Sequence, residues 1–145
     1  MSMTLTEVLT DEARRRAVAR DGAQLVADEV ASRTGLRAAA LKAGFKTIRR
    51  LKPGIIEEAM YALLPSFAPA VDPHWAKAVA SGEPKRYFRE HADEIADSLL
   101  AVTDAKARRA KNRVMLKVYN ALRGQALTQT AQSVPRLPDL IAKHV

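Results

Sequence analysis

Basic residues are concentrated in two segments of the chain, and such concentration is typical of a surface that binds a polyanion. Six lysines and arginines and no acidic residue fall within 36–52, and seven lysines and arginines fall within 105–123. If both segments are helical, a rotation of about 100° per residue places their cations on faces that point away from the apolar residues. The candidate polyanion-binding residues on these two faces are Lys42, Lys46, Arg49, Arg109, Arg113 and Lys117.

An acidic face in the second half of the chain favours the alternative, a basic surface that is merely solvated. Glu90, Asp93, Glu94 and Asp97 lie at helical spacing and could pack beside the cations. Exposed ion pairs contribute only about 0–1 kcal/mol each, but they would neutralise the field that a polyanion feels. Aromatic side chains that could stack on bases are also scarce on the basic faces. Both interpretations stay open at this point.

The sequence contains no pattern that predicts catalysis or a metal site. His91 and Glu94 lie three residues apart, but di-iron bundles need the reverse order, Glu-x-x-His, on two helices. None of the serines lies in a Gly-x-Ser-x-Gly turn, and the chain has no cysteine. An enzyme would need a pocket that includes His74, Trp75 or the acidic face 90–97. We therefore lean against an enzyme and predict no catalytic residue, metal ligand or cofactor.

The elements that must position these residues are predicted to be helices throughout. Ala, Leu, Arg, Lys and Glu dominate, and no β-branched run alternates with period two. The predicted main helices cover about 12–33, 36–52, 55–64, 84–102, 105–123 and 125–134. The inward face of the first comprises Val18, Gly22, Leu25, Val26 and Val30. Because no such helix can bury its stripe alone, we expect an all-α bundle of about six main helices that share one core.

Specific residues are predicted to begin and end these helices. Thr4 and Glu7 have the spacing of a capping box that opens a short first helix. Asp11 and Asp104 are predicted N-caps, and Gly35 is a predicted helix stop. These signals fix the expected order of elements but leave the pairing of helices open.

The second half of the chain resembles a diverged copy of the first half. After a shift of about seventy residues, Gly54 and Pro65 align with Gly124 and Pro135, and charged and apolar positions fall into step. Chance similarity between amphipathic helices is the alternative. The predicted units are two tandem three-helix repeats with pseudo-two-fold symmetry, at about 11–71 and 80–145, joined at 72–82 within a single domain 1–145.

Size and composition are those of one ordinary domain. The 145 residues are 48% hydrophobic and 28% charged, and the net charge is +8. The first dozen residues carry no secretory signal, and the longest apolar stretch, 59–64, is too short to span a bilayer. The lack of cysteine agrees with a reducing compartment. We therefore expect a cytoplasmic protein without a transmembrane segment.

Several short motifs together resemble a known family. They are Leu5-Thr-Glu-Val-Leu9, Lys52-Pro-Gly-Ile55, Leu63-Leu-Pro-Ser-Phe67, Leu99-Leu-Ala-Val-Thr-Asp-Ala105, Leu122-Arg-Gly124, Pro135-Arg-Leu137 and Lys143-His144. On these motifs the chain resembles a family of small actinobacterial proteins whose domain has no known function. The resemblance spans nearly the full length, which implies a complete one-domain protein of a bacterial cytoplasm. It implies no site residues.

The sequence therefore leaves the function unknown. We expect a non-enzymatic helical interaction or structural protein that self-associates or binds a protein partner, and an exposed apolar patch would support this expectation. The alternative is non-specific polyanion binding, to nucleic acid for example, through the basic faces of 36–52 and 105–123. No sequence preference is expected, because no helix groups the side chains that read base edges.

Overall fold

The computed structural model describes residues 3–145, and over that range the fold is all α, as predicted. Eight α-helices and one 3₁₀ turn follow one another. They are α1 (Leu5–Val8), α2 (Glu12–Ser32), α3 (Leu36–Arg49), α4 (Ile55–Ala80), α5 (Pro84–Glu90), α6 (Ala92–Ala107), α7 (Arg113–Ser133), the 3₁₀ turn (Val134–Arg136) and α8 (Leu137–His144). No helix within residues 3–145 is long and apolar enough to cross a membrane.

The N-terminal helix signals act as the sequence predicts. The Thr4 hydroxyl accepts from the Glu7 amide, and the Glu7 carboxylate accepts from the Thr4 amide, each at 3.1 Å. Asp11 caps α2 by accepting from the Arg14 amide at 3.0 Å. Gly35 separates α2 from α3 at a φ of 93°, a backbone conformation that glycine adopts readily and in which a side chain would be strained. These residues fix the entry into the bundle.

Helix α4 continues through three prolines, so the predicted helix end at Pro65 is wrong. The predicted join at 72–82 is wrong for the same reason, since most of it lies inside α4. Pro65, Pro69 and Pro73 are four residues apart, which places their rings on one face of the helix, and all three are exposed. The backbone carbonyls that lose a helical donor at these positions therefore lie toward solvent or a polar partner.

The carbonyl that Pro65 leaves without a donor has such a partner on α2. Proline has no N–H, so the Tyr61 carbonyl four residues earlier lacks its helical hydrogen bond. Arg15 donates to that oxygen from Nε at 2.9 Å and from Nη2 at 2.6 Å. Its guanidinium carbon also lies 3.9 Å from the centroid of the Tyr61 ring. Arg15 thus supplies the hydrogen bonds that the Tyr61 carbonyl lacks within its helix, and it joins α2 to α4.

The helix boundaries in the second half differ from the predicted ones. The predicted helix 84–102 is divided at His91 into α5 and α6. Asp104 lies inside α6 and does not cap a helix, and its carboxylate accepts from the Arg123 guanidinium at 2.8 and 2.9 Å. Asn112 caps α7 by accepting from the amides of Val114 and Met115. The predicted helices 105–123 and 125–134 are therefore wrong in their bounds.

The Gly–Pro correspondence between the two halves does not persist in the structure. Gly54, at a φ of 73°, lies between α3 and α4, whereas Gly124 lies in the interior of α7. Pro65 lies inside a long helix, whereas Pro135 lies in the 3₁₀ turn. The internal repeat is not confirmed and stays a prediction.

The buried core is built mainly by α1, α2, α4, α5, α6 and α8. Its largest fully buried side chains are Val8, Phe88, Ile95 and Val134. Helix α3 buries only Ala38, and no residue of α7 is fully buried. These two helices pack closely on each other, since a Cβ at Gly44 of α3 would lie 2.9 Å from Val118 Cγ1 of α7. The α3–α7 pair is therefore an outer layer on a better buried bundle.

Candidate functional site

An open cleft of about 330 Å³ is the most distinctive cavity of the bundle. Its walls come from α2, α4, α6, α8 and the C-terminal part of α7, and α3 contributes Leu41. Its apolar lining comprises Leu5, Val18, Gly22, Leu25, Val26, Val30, Leu41, Met60, Leu64, Phe67, Val71, Leu99, Leu100, Val134, Leu137, Leu140 and Ile141. Leu25, Val26 and Val30 are only half-buried. The predicted inward stripe of α2 thus faces a cleft over much of its length.

The polar residues of the cleft are segregated along its length. The lining residues of α2 run from Val18 to Arg33, which is about 22 Å along the helix axis. Most of the polar lining lies at the C-terminal ends of α2, α6 and α7 and consists of Glu29, Arg33, Thr103, Gln129, Thr130 and Ser133. We call this group the polar end. The opposite end holds a single polar lining residue, His144.

Arg33 is the organising residue of the polar end. Its Nε donates to Gln129 Oε1 at 2.8 Å, and its Nη2 donates to the Gln129 carbonyl at 3.1 Å and to Ser133 Oγ at 2.7 Å. Its side chain is only 15% exposed. These bonds fix the orientation of the guanidinium and tie the end of α2 to the end of α7.

Glu29 is the one buried charged residue in the part of the chain that the structure describes. Near the C-terminus of α2 its charge is opposed by the helix dipole, so cationic partners are required. Arg33 Nη1 lies 3.7 Å from Glu29 Oε1, and Arg136 Nη1 lies 3.4 Å from Oε2. Both contacts are long for charge-assisted hydrogen bonds, which are about 2.7–2.9 Å. The carboxylate is therefore compensated in charge but loosely bonded.

The opposite end of the cleft is closed by the C-terminal helix. His144 Nε2 lies 2.8 Å and Lys143 Nζ 2.9 Å from Asp21 Oδ2 on α2. The hydrogen bond from Lys143 is the largest cause that holds the pKa of Asp21 below its usual value, and the His144 contact lowers that pKa further. Burial acts in the other direction. This cluster anchors α8 beside the cleft.

The six candidate polyanion-binding residues all lie at the surface. Lys42, Lys46 and Arg49 lie on α3, Arg113 and Lys117 lie on α7, and Arg109 lies in the turn between α6 and α7. Among residues 3–145 none of the six forms an ion pair. Because α3 and α7 pack on each other, the structure brings the two basic segments onto neighbouring helices.

The acidic face does not neutralise these cations within the described part of the chain. Glu90 pairs instead with Arg86 on its own helix, at 2.9 Å. The one basic residue of the second segment with an acidic partner is Arg123, and its partner is Asp104. Arg123 lowers the pKa of Asp104, and a hydrogen bond from Tyr119 lowers it further. The six candidate cations therefore keep their charge available.

Histidines and acidic residues form no metal cluster within residues 3–145. The His91 ring stacks on Tyr87 at a centroid distance of 4.0 Å, and its Nδ1 donates to the Tyr87 carbonyl at 2.9 Å. His74 Nε2 lies 2.9 Å from Ser98 Oγ, a contact that sequence spacing could not reveal. Burial is the largest cause that lowers the pKa of His74.

Neither described cleft includes the histidine–serine contact or the acidic face. The 330 Å³ cleft and a second, more polar cleft near Phe45 and Ile56 are lined by other residues of the described range 3–145. Trp75 packs edge-on against Phe88, at a centroid distance of 5.9 Å, and serves the core. The pocket that an enzyme would need at these residues is thus not among the two clefts.

Comparison with known proteins gives one result. A model of a family of unknown function, DUF6918, matches residues 5–145. No curated protein and no solved structure matches the chain.

Proposed function

Because the chain belongs to the DUF6918 family, whose function is unknown, we propose a function from the cleft: non-catalytic binding of a small, elongated and largely apolar molecule. The observation that carries this proposal is the segregated lining, apolar over most of its length and polar at one end. Ligand sites are typically apolar clefts with a few polar groups that fix orientation. The ligand would lie along α2, with its polar group beside Glu29 and Arg33.

The volume of the cleft is within the range of small-molecule sites. Small-molecule sites measure about 300–1,000 Å³, and 330 Å³ lies within that range.

The driving force for such binding is the apolar surface that the cleft leaves in contact with water. Leu25, Val26 and Val30 are half-buried although they lie on the inward stripe of α2. Each Å² of apolar surface removed from water contributes roughly 25 cal/mol. A ligand that covers these side chains therefore gains binding free energy and stabilises the folded bundle.

A fluorescence titration tests the proposal. N-phenyl-1-naphthylamine, an uncharged apolar dye, should bind the wild type with saturable enhancement at one site. Val26→Trp fills the middle of the cleft and should weaken dye binding at least about tenfold. Val79→Trp is the matched control, because Val79 is 50% exposed and outside the cleft. Unchanged binding by a folded Val26→Trp variant contradicts the proposal.

A second candidate function is non-specific polyanion binding through Lys42, Lys46, Arg49, Arg109, Arg113 and Lys117. It is supported by one specific observation: all six are exposed, and none forms an ion pair with any residue of the described chain. Cations without acidic neighbours can contact the phosphates of a nucleic acid and release the counterions bound there. This function and the cleft occupy different surfaces and can coexist.

Contact with a protein partner or a second copy of the chain is also a proposal. Its support is the exposure of Leu36, at 95%, and Val114, at 41%, in the first turns of α3 and α7. Sedimentation velocity over a hundredfold concentration range tests self-association.

We further propose an actinobacterial, cytoplasmic protein, in agreement with the cysteine-free sequence, and cell fractionation tests the location.

A further inference from the structure

The polar end of the cleft contains an incomplete hydrogen-bonding pair. Glu29 Oε1 and Arg33 Nη1 face each other at 3.7 Å, beyond hydrogen-bonding distance. Neither atom has another hydrogen bond to any residue between 3 and 145. The side chains are only 10% (Glu29) and 15% (Arg33) exposed, and both line the cleft, so a group bound in the cleft can reach the pair. An acceptor and a donor of the cleft lining thus lie side by side without a direct hydrogen bond.

The other atoms of both side chains are already engaged. Arg33 Nε and Nη2 are held by Gln129 and Ser133, so the guanidinium cannot rotate toward Glu29 without breaking three hydrogen bonds. Glu29 Oε2 faces Arg136 at 3.4 Å. The gap between Oε1 and Nη1 is therefore imposed by the surrounding contacts, and both residues line the cleft.

The charges around the gap favour an uncharged group that can both donate and accept a hydrogen bond. A ligand carboxylate would place a second anionic oxygen against Glu29 Oε1 with no proton between them, and a ligand ammonium would meet the Arg33 cation. An ester or ether oxygen could accept from Arg33 but could not donate to Glu29. A hydroxyl does both, since it has one donor and two acceptor lone pairs.

From this geometry we infer that the ligand carries an uncharged terminal hydroxyl, which accepts from Arg33 Nη1 and donates to Glu29 Oε1. The inference rests on the proposed function and names its ligand class: a long-chain or polycyclic apolar alcohol. Hydrogen bonds to charged groups contribute about 1.5–3 kcal/mol, which corresponds to about 10–150-fold in affinity. The hydroxyl thus orients the ligand with its apolar end toward His144.

Four linear probes built on a ten-carbon alkyl or acyl chain test the inference by displacement of N-phenyl-1-naphthylamine. They are 1-decanol, decanoate, decylammonium and decyl methyl ether. We expect 1-decanol to bind at least about tenfold more tightly than each of the other three. Equal affinity for all four overturns the hydroxyl inference but leaves the apolar cleft as a binding site. Binding of none of them overturns the proposed function itself.

A pair of variants gives the second readout. Glu29→Gln removes the charge of the side chain but keeps its size, so the variant should repel the decanoate carboxylate less. The preference for 1-decanol over decanoate should therefore shrink at least about fivefold. Arg136→Gln changes a partner of Glu29 that does not line the cleft, and its preference for 1-decanol should stay in the wild-type direction. If Glu29→Gln unfolds, the four-probe comparison on the wild type still decides. A preference for decanoate in the wild type contradicts the inference.

Discussion

Arg15 on α2 supplies the hydrogen bonds that Pro65 removes from the Tyr61 carbonyl on α4. The two donors of Arg15 lie 2.9 and 2.6 Å from that oxygen, and the guanidinium also stacks on the Tyr61 ring. Helix α4 reaches past a proline to Ala80 because another helix satisfies the acceptor. Local sequence rules place a helix end at such a proline, since they cannot include a donor 46 residues earlier in the chain.

This relationship predicts an energetic coupling between Arg15 and Pro65. Arg15→Ala should lower the free energy of unfolding by about 1–2 kcal/mol, because it leaves a carbonyl without a donor. In a Pro65→Ala background the new N–H at position 65 can bond that carbonyl within the helix, so Arg15→Ala should cost clearly less. Denaturant unfolding of the four proteins in the double-mutant cycle measures the coupling.

Arg16→Ala is the control for this cycle. Arg16 lies over the same ring at 4.9 Å, but it bonds Glu12 and makes no bond to the carbonyl. Its cost should not depend on the residue at position 65. Additive behaviour of Arg15→Ala and Pro65→Ala, within about 0.3 kcal/mol, would show that Arg15 does not compensate the proline.

Two glycine-to-alanine substitutions are predicted to act in opposite directions. Gly44→Ala brings a Cβ to within 2.9 Å of Val118 Cγ1, so the Val118 side chain or the two helices must shift, at a cost of about 1–3 kcal/mol. Gly124→Ala meets no atom within 4 Å and lies inside α7, so it should stabilise by about 0.5–1 kcal/mol. Thermal unfolding measures both. Stabilisation by Gly44→Ala would contradict the close packing of the outer layer.

The loss of folding stability at acidic pH is predicted to depend on Asp21. Its pKa is lowered in the folded state, chiefly by Lys143 and also by His144, so folding is favoured by its ionised form. The stabilisation is fully present above the unfolded pKa of about 3.9 and is lost as the pH falls through the lower folded pKa. Asp21→Asn should therefore be less stable than the wild type at pH 6, and this difference should shrink below about pH 4. A difference that is constant between pH 6 and pH 2.5 would exclude this role of Asp21.

The basic faces are predicted to act as a salt-sensitive anion site. The wild type should elute from heparin at higher salt than a variant with Lys42, Lys46 and Arg49 changed to Gln, and changing Arg109, Arg113 and Lys117 as well should flatten the salt dependence further. A matched variant with Arg14, Lys77 and Arg89 changed to Gln has the same net charge as the first, and these exposed cations lie on other helices. If the two triple variants eluted at the same salt concentration, net charge alone would explain heparin binding, and the basic faces would have no special role.

Sequence reasoning reached the fold class because helical periodicity and local caps are short-range properties. The capping box at Thr4 and Glu7 and the stop at Gly35 are confirmed for that reason. It failed at Pro65, where a distant residue contributes: Arg15 donates to the Tyr61 carbonyl that the proline leaves without a helical donor.

The cleft could be predicted only in part. Helical periodicity predicts that the stripe from Val18 to Val30 faces inward, but whether it meets other side chains or an open space depends on the volumes of the residues opposite it. The polar end brings Glu29 and Arg33 beside Gln129, about a hundred residues away in the chain, and no local spacing signals that contact. The candidate cations were found from sequence because charge clustering within one helix is local.

Intermolecular nuclear Overhauser effects with 1-decanol test the cleft most directly. In methyl-labelled protein, the decanol methylene protons should give effects to the methyl groups of Leu25, Val26 and Val30, with the hydroxyl end toward Val30. The exposed methyl groups of Val79 and Val114, which lie outside the cleft, should give none. Effects confined to Val79 and Val114, or no effects at a saturating concentration of decanol, would contradict the proposed binding function.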